Sequence, residues 1–387
     1  MRSHKIESLA KMFTSKVLKT YTVDLNNYII VQQLSQGTSA SVLLIEHKES
    51  REKQAAKVSF LATGSNESQI TQISREIGIL IRVQAPTIIH FSGFSLTDFE
   101  GYPHITILMD YKENGSLAGL IDKEQLSQCP PEYDNTTKQI ILCGIAHGMM
   151  ILHSRRVIHR DLKPENVLLD ENYYPCITDF GLSKFLDPYN SKSQSRGGCG
   201  TLAYIAPELH DSKHYGPKVD VYSFGILMYE VVTGERAFEK LMEKLPYHKF
   251  VTQVIGGKRP QFKAPIKPGL RKLIERCWDK DPRKRPSFRS IFNKLSLSFE
   301  EDDEIVEDQL KDVIANSAQA DEEEEEEQFD AFDYSRYCLD GVDYDRLLNY
   351  VDEITTPKTQ NTEENLRQDE LKRKLEEQAK RIDELEK

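Results

Sequence analysis

His159–Asn166 reads HRDLKPEN and lies near the middle of the 387-residue chain. Thirteen residues after its end comes the tripeptide Asp179-Phe180-Gly181, and Ala206-Pro207-Glu208 begins 27 residues after Asp179. Upstream, Lys57 lies in a predicted strand and Glu76 in the next predicted helix. Any one of these short motifs is weak evidence, but the complete ordered set at this spacing is highly specific.

The chain before HRDLKPEN predicts strands, and the chain from about residue 136 predicts long helices. A helix is indicated by apolar residues at Ile70, Ile73, Ile77 and Leu80. The predicted strands are Tyr28–Val31, Ser41–Ile45, Ala55–Val58 and Ile105–Met109, and two helices that are apolar on most sides span Ile140–His153 and Val219–Val232. A strand-rich part followed by a helical part indicates an α+β fold with two lobes.

With these motifs the chain resembles the eukaryotic protein kinases from about Asn27 to Leu297. Asp220–Gly225 and Cys277–Pro286 are most similar to the tyrosine-kinase-like group. The resemblance implies a small β-rich N-lobe, a larger helical C-lobe and ATP bound between them. It also implies an Mg-ATP-dependent enzyme in signalling that phosphorylates serine and threonine hydroxyls of protein substrates.

The resemblance assigns the catalytic roles to three residues of the HRDLKPEN stretch and to Asp179. Asp161 resembles the base near the incoming hydroxyl, and Lys163 resembles the residue that reaches the γ-phosphate. Asn166 and Asp179 resemble the ligands of Mg²⁺, a hard cation that prefers oxygen ligands. Phosphoryl transfer depends on positioning and charge neutralisation more than on covalent chemistry, which suits these residue types.

The implied nucleotide-binding residues lie in the first lobe. Lys57 would hold the α- and β-phosphates, and Glu76 would fix Lys57 by an ion pair. Met109 corresponds to the gatekeeper, and Asp110–Lys112 resembles the hinge that holds adenine. The full implied set is Leu34, Gly37, Val42, Ala55, Lys57, Glu76, Met109, Asp110, Tyr111 and Lys112.

The phosphate loop departs from the family pattern. The family expects Gly-x-Gly-x-x-Gly, and here these three positions are Ser35, Gly37 and Ala40, with Val42 in its expected place. Glycine lets the backbone approach phosphates without a Cβ in the way. We therefore expect weaker ATP binding than a full-glycine loop would give. The alternative is a catalytically weak pseudokinase that acts as a scaffold through its C-terminal tail.

Four further residues have architectural roles by resemblance. His159 resembles the histidine that packs on Phe180, and Asp220 resembles an anchor for the catalytic loop. Glu208 and Arg285 resemble a buried structural ion pair.

Charge divides the chain into a basic body and an acidic tail. Residues 300–387 carry 31 acidic and 11 basic side chains, whereas residues 1–299 have a net charge of +9. A basic body suits anionic partners such as nucleotide phosphates, but no zinc-ligand spacing or basic stripe favours nucleic acid. The predicted domains are a basic extension at 1–26, a kinase domain at 27–298, an acidic and aromatic linker at 299–365 and a short coiled-coil-like helix at 366–387. The tail is expected to be partly disordered because runs such as Asp321–Glu327 cannot bury apolar surface.

Both ends of the chain carry amphipathic patterns. Leu371, Leu375, Gln378, Ile382 and Leu385 form a heptad seam, which predicts self-association or partner binding through 366–387. Ile6, Leu9, Phe13 and Val17 share a helical face at the N-terminus, for which a helix packed on the next domain is favoured over a transit peptide or membrane-surface helix. No apolar run reaches the length of a membrane span, and six cysteines without metal-ligand spacing indicate reduced thiols in the cytoplasm.

Overall fold

The computed structural model describes residues 19–37, 40–60, 67–185, 202–211, 215–297 and 334–356. The N-terminal amphipathic pattern, the run Asp321–Glu327 and the heptad seam lie outside these residues. One compact unit contains the described residues up to Glu113 and those from Ile354 onward, and the other contains those from Asn114 to Glu353. Among the helices that the structure describes, none is both long and apolar enough to cross a membrane.

The first unit is built on a five-stranded antiparallel sheet with the order β1-β2-β3-β5-β4. Its strands are β1 (Tyr28–Gln36), β2 (Ala40–His47), β3 (Lys53–Ser59), β4 (Phe91–Ser95) and β5 (Thr106–Asp110). Helix α1 spans Glu67–Arg82 and buries Ile73, Ile77 and Leu80, as the apolar spacing predicts. The four predicted strands are confirmed; β1, β2 and β3 extend beyond their predicted ends, and β5 lies one residue later than predicted.

β1 continues through residues 32–36, which are polar except for Leu34, because backbone pairing with β2 holds it. Nearly all of its side chains are exposed, so side-chain burial contributes little to its formation. The two strands remain paired as far as Gln36 with Ser41. Hydrophobic alternation, the sequence signal for a strand, is therefore missing at this end.

Residues 21–23 extend the sheet beyond β4. The Val23 amide donates to the Phe94 carbonyl at 2.9 Å, and the Phe94 amide donates to the Tyr21 carbonyl at 2.8 Å. This approach requires Gly93, because a Cβ there would lie 2.5 Å from Val23 Cγ1.

The second unit is mainly helical, as predicted. Its helices are α2 (Leu117–Gln125), α3 (Asn135–Ser154), α4 (Glu208–Asp211), α5 (Lys218–Thr233), α6 (Glu239–Lys244), α7 (Tyr247–Ile255), α8 (Pro268–Cys277) and α9 (Phe288–Ser296), and α10 (Tyr344–Thr355) begins in it. Most residues of α3 and α5 are buried, so these two helices form the centre of the core. Two small antiparallel hydrogen-bonded pairs complete the unit, β6 (Val157–Ile158) with β9 (Lys184–Phe185) and β7 (Val167–Leu169) with β8 (Pro175–Ile177). The α+β fold class is confirmed.

The structure differs from the sequence interpretation within the predicted linker 299–365. Residues 334–337 form a 3₁₀ turn, and α10 follows. The buried side chains of this segment are Cys338, Leu339, Val342, Leu347, Tyr350, Val351 and Ile354. In α10 the buried positions recur at three- and four-residue spacing, which is the signature of an amphipathic helix. Acidic residues dominate the surrounding sequence, so this short amphipathic pattern was not recognised there. The segment is folded chain rather than linker.

Candidate active site

Lys57 and Glu76 form an ion pair within the first unit. Lys57 lies on β3, where it pairs with Val42 of β2 and Ile107 of β5. Its Nζ lies 2.7 Å from Oε1 of Glu76 on α1. The side chains are 18% and 5% exposed, respectively, so the pair is largely shielded from water. A shielded, hydrogen-bonded pair fixes the position of the ammonium group much better than a surface pair does.

The phosphate loop joins β1 to β2. Ser35 pairs with Val42, and the Gly37 amide donates to the Ala40 carbonyl at 2.8 Å. A Cβ at Gly37 would lie 3.2 Å from that carbonyl oxygen, so a larger residue there would crowd the turn. Leu34 is 38% exposed for a large apolar side chain. Thr38 and Ser39, at the tip, lie outside the described residues.

The residues predicted as gatekeeper and hinge lie at the end of β5 and directly after it. Ala55 pairs with Met109, and both side chains are buried. Asp110 ends β5, and its Oδ1 lies 3.2 Å from His90 Nδ1, while Lys112 Nζ lies 3.5 Å from its Oδ2. Burial is the largest single effect and opposes the charge of Asp110, but the hydrogen bonds and charges of His90 and Lys112 together outweigh it, so the pKa of Asp110 is lowered. Tyr111 follows directly in the chain.

The second unit brings Asp161, Lys163 and Asn166 together. Lys163 Nζ lies 3.0 Å from Asp161 Oδ2. Asn166 Nδ2 donates to the same Oδ2 at 2.9 Å and to the Asp161 carbonyl at 2.7 Å. These bonds fix the plane of the Asp161 carboxylate. The three residues predicted as catalytic therefore form one hydrogen-bonded cluster.

Asn166 and Asp179 flank the β7–β8 hairpin. Asn166 directly precedes β7, and its carbonyl accepts from the Thr178 amide at 2.9 Å. Asp179 follows Thr178 and has a left-handed backbone with φ of 64°, a conformation that is uncommon for non-glycine residues. The side-chain nitrogen of Asn166 donates to Asp161, so the side-chain oxygen is the atom of this amide that can accept a bond. An amide oxygen and a carboxylate at one edge of a hairpin fit the ligand preference of Mg²⁺.

Asp220 anchors the backbone of the catalytic loop, as the resemblance implies. This fully buried carboxylate accepts from the amides of His159 at 2.9 Å and Arg160 at 2.8 Å. His153, at the end of α3, adds a third contact, with its Nε2 2.8 Å from Asp220 Oδ2. Arg160 has φ of 69°, and the hydrogen bond from its backbone amide to Asp220 stabilises this strained backbone. His153 was not predicted from the sequence, since spacing alone gives no signal for a contact that depends on how α3 meets α5.

The other two architectural predictions agree with the geometry. The rings of His159 and Phe180 lie 5.2 Å apart between centroids. Arg285 and Glu208 form a bidentate pair, with Nη1–Oε1 at 2.6 Å and Nη2–Oε2 at 2.9 Å. Two parallel charge-assisted bonds of this kind hold α4 against the turn that precedes α9.

A buried carboxylate of α5 was also missed by sequence reasoning. Glu230 accepts from the Tyr204 hydroxyl at 2.8 Å, from the Ala237 amide at 2.8 Å and from Arg236 at 3.3 Å. Burial raises the pKa of Glu230, although all three donors oppose that effect. An acid within an apolar helix is the only sequence signal for such a site.

An antiparallel sheet with a strand lysine paired to a helix glutamate, together with a helical unit carrying the Asp161 cluster, defines the protein kinase class. Residues 28–295 match the protein kinase domain, and the chain belongs to this family. The resemblance seen in the sequence is thereby confirmed.

The chain is similar to several curated kinases. It is 34% identical over 236 residues to a probable serine/threonine-protein kinase of Dictyostelium discoideum, covering 61% of this chain and 17% of that protein. It is 34% identical over 251 residues to the dual specificity protein kinase shkB of the same organism, covering 64% of this chain and 37% of shkB. It is 30% identical over 274 residues to the serine/threonine/tyrosine-protein kinase HT1 of Arabidopsis thaliana, covering 70% of this chain and 66% of HT1. The chain thus spans less than two thirds of each of these proteins, and the comparisons lend no support to the pseudokinase alternative.

Proposed function

We propose that this chain transfers the γ-phosphate of ATP to serine and threonine hydroxyls of protein substrates. The observation that carries the proposal is the cluster in which Lys163 and Asn166 both bond to Oδ2 of Asp161. A carboxylate held in one plane by two donors is suited to receive a proton from an incoming hydroxyl. Its second oxygen, Oδ1, is the atom that we expect to accept that proton.

Each remaining residue has a role in binding or orientation. Lys163 would hold the transferring phosphoryl group as a point charge, and the ion pair with Glu76 would present Lys57 to the α- and β-phosphates. Asn166 and Asp179 would hold Mg²⁺, which neutralises charge on the phosphate oxygens when it is bound. The backbone bonds to Asp220 keep the loop in place without a change of conformation during reaction.

The test is transfer of labelled γ-phosphate from Mg-ATP to a basic protein substrate, with wild type beside Asp161→Asn. We expect label on phosphoserine and phosphothreonine, and a loss of about 10²–10⁴-fold in the variant because the base is gone. Asp345→Asn, an exposed carboxylate in the same unit, is the matched control and should retain activity. Absence of transfer by wild type would overturn the proposal. Label on phosphotyrosine as well would widen the substrate class, as the names of two relatives suggest for those proteins.

We also infer a partner-binding segment and a cellular location for this chain. We infer self-association or partner binding through 366–387 from the heptad spacing alone, since that stretch lies outside the described residues. A cytoplasmic location is supported by free thiols at Cys129, Cys143, Cys176, Cys277 and Cys338. Sedimentation of the full chain beside a Leu375→Asp variant tests the first inference, and it fails if both sediment as monomers.

A further inference from the structure

We propose that residues 334–353, here called the tail segment, position the metal-binding residues of the active site by bracing the β7–β8 hairpin from its outer end. The proposal rests on the proposed function, because it assigns the hairpin residues Asn166 and Asp179 to Mg²⁺. Tyr350 is the residue that makes the brace. It is a positioning residue, because it acts through its contact with the hairpin and not by touching substrate or metal.

Tyr350 lies where the tail segment, α3 and the hairpin meet. Its ring packs on the ring of Tyr174 with centroids 4.5 Å apart. A Cβ built at Gly144 of α3 would collide with the Tyr350 hydroxyl and would lie 2.5 Å from Cγ of Pro175, the first residue of β8. There is no room at this junction even for a methyl group. The Tyr350 side chain is fully buried there.

The hairpin transmits position from this junction to the metal-binding residues. Its three paired positions are Leu169 with Pro175, Leu168 with Cys176 and Val167 with Ile177. Tyr350 contacts the turn end of this ladder, whereas Asn166 and Asp179 lie just beyond the other end. A ladder this short, with buried residues on both strands, moves as one body. A shift at Pro175 therefore reaches both metal ligands.

Hydrogen bonds that the tail segment donates to α3 hold this segment in place. The Asp343 amide donates to Thr136 Oγ1 at 2.9 Å, and the Leu339 amide donates to Gln139 Oε1 at 3.2 Å. Arg346 donates to Thr137 Oγ1 at 2.9 Å. Helix α3 packs against the hairpin and also binds the tail segment, so the tail segment is held at a fixed position relative to the hairpin.

The tail segment lies beyond the residues that match the protein kinase domain, which end at 295. The brace is therefore made by residues outside the matched domain. Within the described part of the chain the Tyr350 hydroxyl has no hydrogen-bond partner, although it is buried. The hydroxyl therefore adds no hydrogen bond to the brace, and phenylalanine, which keeps the ring contact with Tyr174, should replace tyrosine with little loss.

The experiment measures Mn²⁺ binding to the 387-residue chain by electron paramagnetic resonance, in the presence of a non-hydrolysable ATP analogue. We expect Tyr350→Ala to weaken Mn²⁺ binding by about 10-fold or more, the range seen when residues that orient metal ligands are removed. Tyr350→Phe should bind as wild type does. Hydrogen exchange of the amides of residues 167–178 should accelerate in Tyr350→Ala and stay slow in Tyr350→Phe. Leu348→Ala on the exposed face of α10, 43% exposed in wild type, is the control for a helix substitution that leaves the brace intact.

The outcomes separate this inference from the proposed function. Unchanged Mn²⁺ affinity in folded Tyr350→Ala would overturn the brace while leaving the kinase proposal standing. If that variant does not fold, Arg346→Ala replaces it, because this change removes one tether without opening a cavity; unchanged affinity and unchanged exchange would then overturn the brace. A wild-type protein that binds neither Mn²⁺ nor nucleotide would overturn the proposed function and the brace together.

Discussion

Lys57 and Glu76 are nineteen residues apart in the sequence and 2.7 Å apart between Nζ and Oε1. Removing the carboxylate charge frees the lysine to move. We expect Glu76→Gln to lower kcat/KM for ATP on the order of 100-fold, the cost of misplacing a positioning group by about an ångström. Steady-state kinetics check this, with Glu113→Gln, in the exposed stretch after the hinge, as the control. An effect no larger than that of the control would contradict the assigned role of the pair.

His147 makes the free energy of unfolding depend on pH. It is buried in α3 against Phe292, with ring centroids 5.3 Å apart, and burial lowers its pKa to about 4. The unfolded chain, with a histidine pKa near 6.5, binds a proton before the folded chain does. The stabilisation from neutral His147 is therefore complete above about pH 6.5 and is lost as pH falls toward 4, by up to about 3 kcal/mol.

Urea unfolding between pH 7 and pH 4 measures this loss in wild type and in His147→Gln. We expect a flatter profile in the variant, because its side chain does not titrate. His248→Gln, an exposed histidine of α7, should follow the wild-type profile. Equal slopes for wild type and His147→Gln would show that another group carries the pH dependence.

Among the elements, the phosphate loop departs most from its family pattern. The Ser35 and Ala40 side chains occupy positions where glycine lets the backbone approach phosphate. We expect the double change Ser35→Gly and Ala40→Gly to tighten ATP binding by roughly fivefold, equivalent to about 1 kcal/mol. Gly37→Ala should act in the opposite direction, since its Cβ would lie 3.2 Å from the Ala40 carbonyl oxygen. Calorimetric titration with ATP measures all three proteins, and equal affinity throughout would refute the argument.

Helix α4 depends on the Glu208–Arg285 pair. Arg285 is almost completely buried and makes two bonds to Glu208, so Arg285→Leu leaves a partly buried carboxylate without its partner. We expect a loss of about 3–5 kcal/mol in the free energy of unfolding. Removing both charges, by Glu208→Leu with Arg285→Leu, should cost less than the single change.

The control for this prediction is Arg283→Leu, which breaks a surface pair whose arginine side chain is 71% exposed. We expect a cost of no more than about 1 kcal/mol there. Denaturant unfolding curves compare the four proteins. A double variant less stable than Arg285→Leu would contradict the interpretation that unpaired charge causes the loss.

For the whole molecule, the tail segment belongs to the folded protein. It buries Leu347, Tyr350 and Val351 in the second unit, although the protein kinase match ends at 295. We expect a chain ending at Leu297 to melt at least roughly 5 °C below a chain ending at Thr356, because each kcal/mol lost lowers Tm by a few degrees at this size. Scanning calorimetry of the two shortened chains measures the difference, and equal melting temperatures would show that the segment adds no stability.

Much of the fold could be predicted from the sequence, because the relevant signals are local. The apolar spacing of Ile73, Ile77 and Leu80 specified α1, and the continuous apolar character of α3 and α5 indicated buried helices. The predicted roles of Asp161, Lys163 and Asn166 depend on an ordered motif whose members are at most five residues apart, so their proximity was nearly assured.

The tertiary structure decided what depends on packing between distant parts of the chain. The contact of His153 with Asp220 and the burial of Glu230 follow from how helices meet, which no local pattern encodes. The tail segment was hidden for the same reason: its acidic surroundings predict a linker, and its apolar face becomes recognisable only where α3 and the β7–β8 hairpin receive it. Local periodicity therefore determined which elements form, and the ordered motif with its family resemblance determined which residues were predicted to carry the chemistry. The burial energy available only in the assembled core determined that the tail segment folds with the rest of the protein.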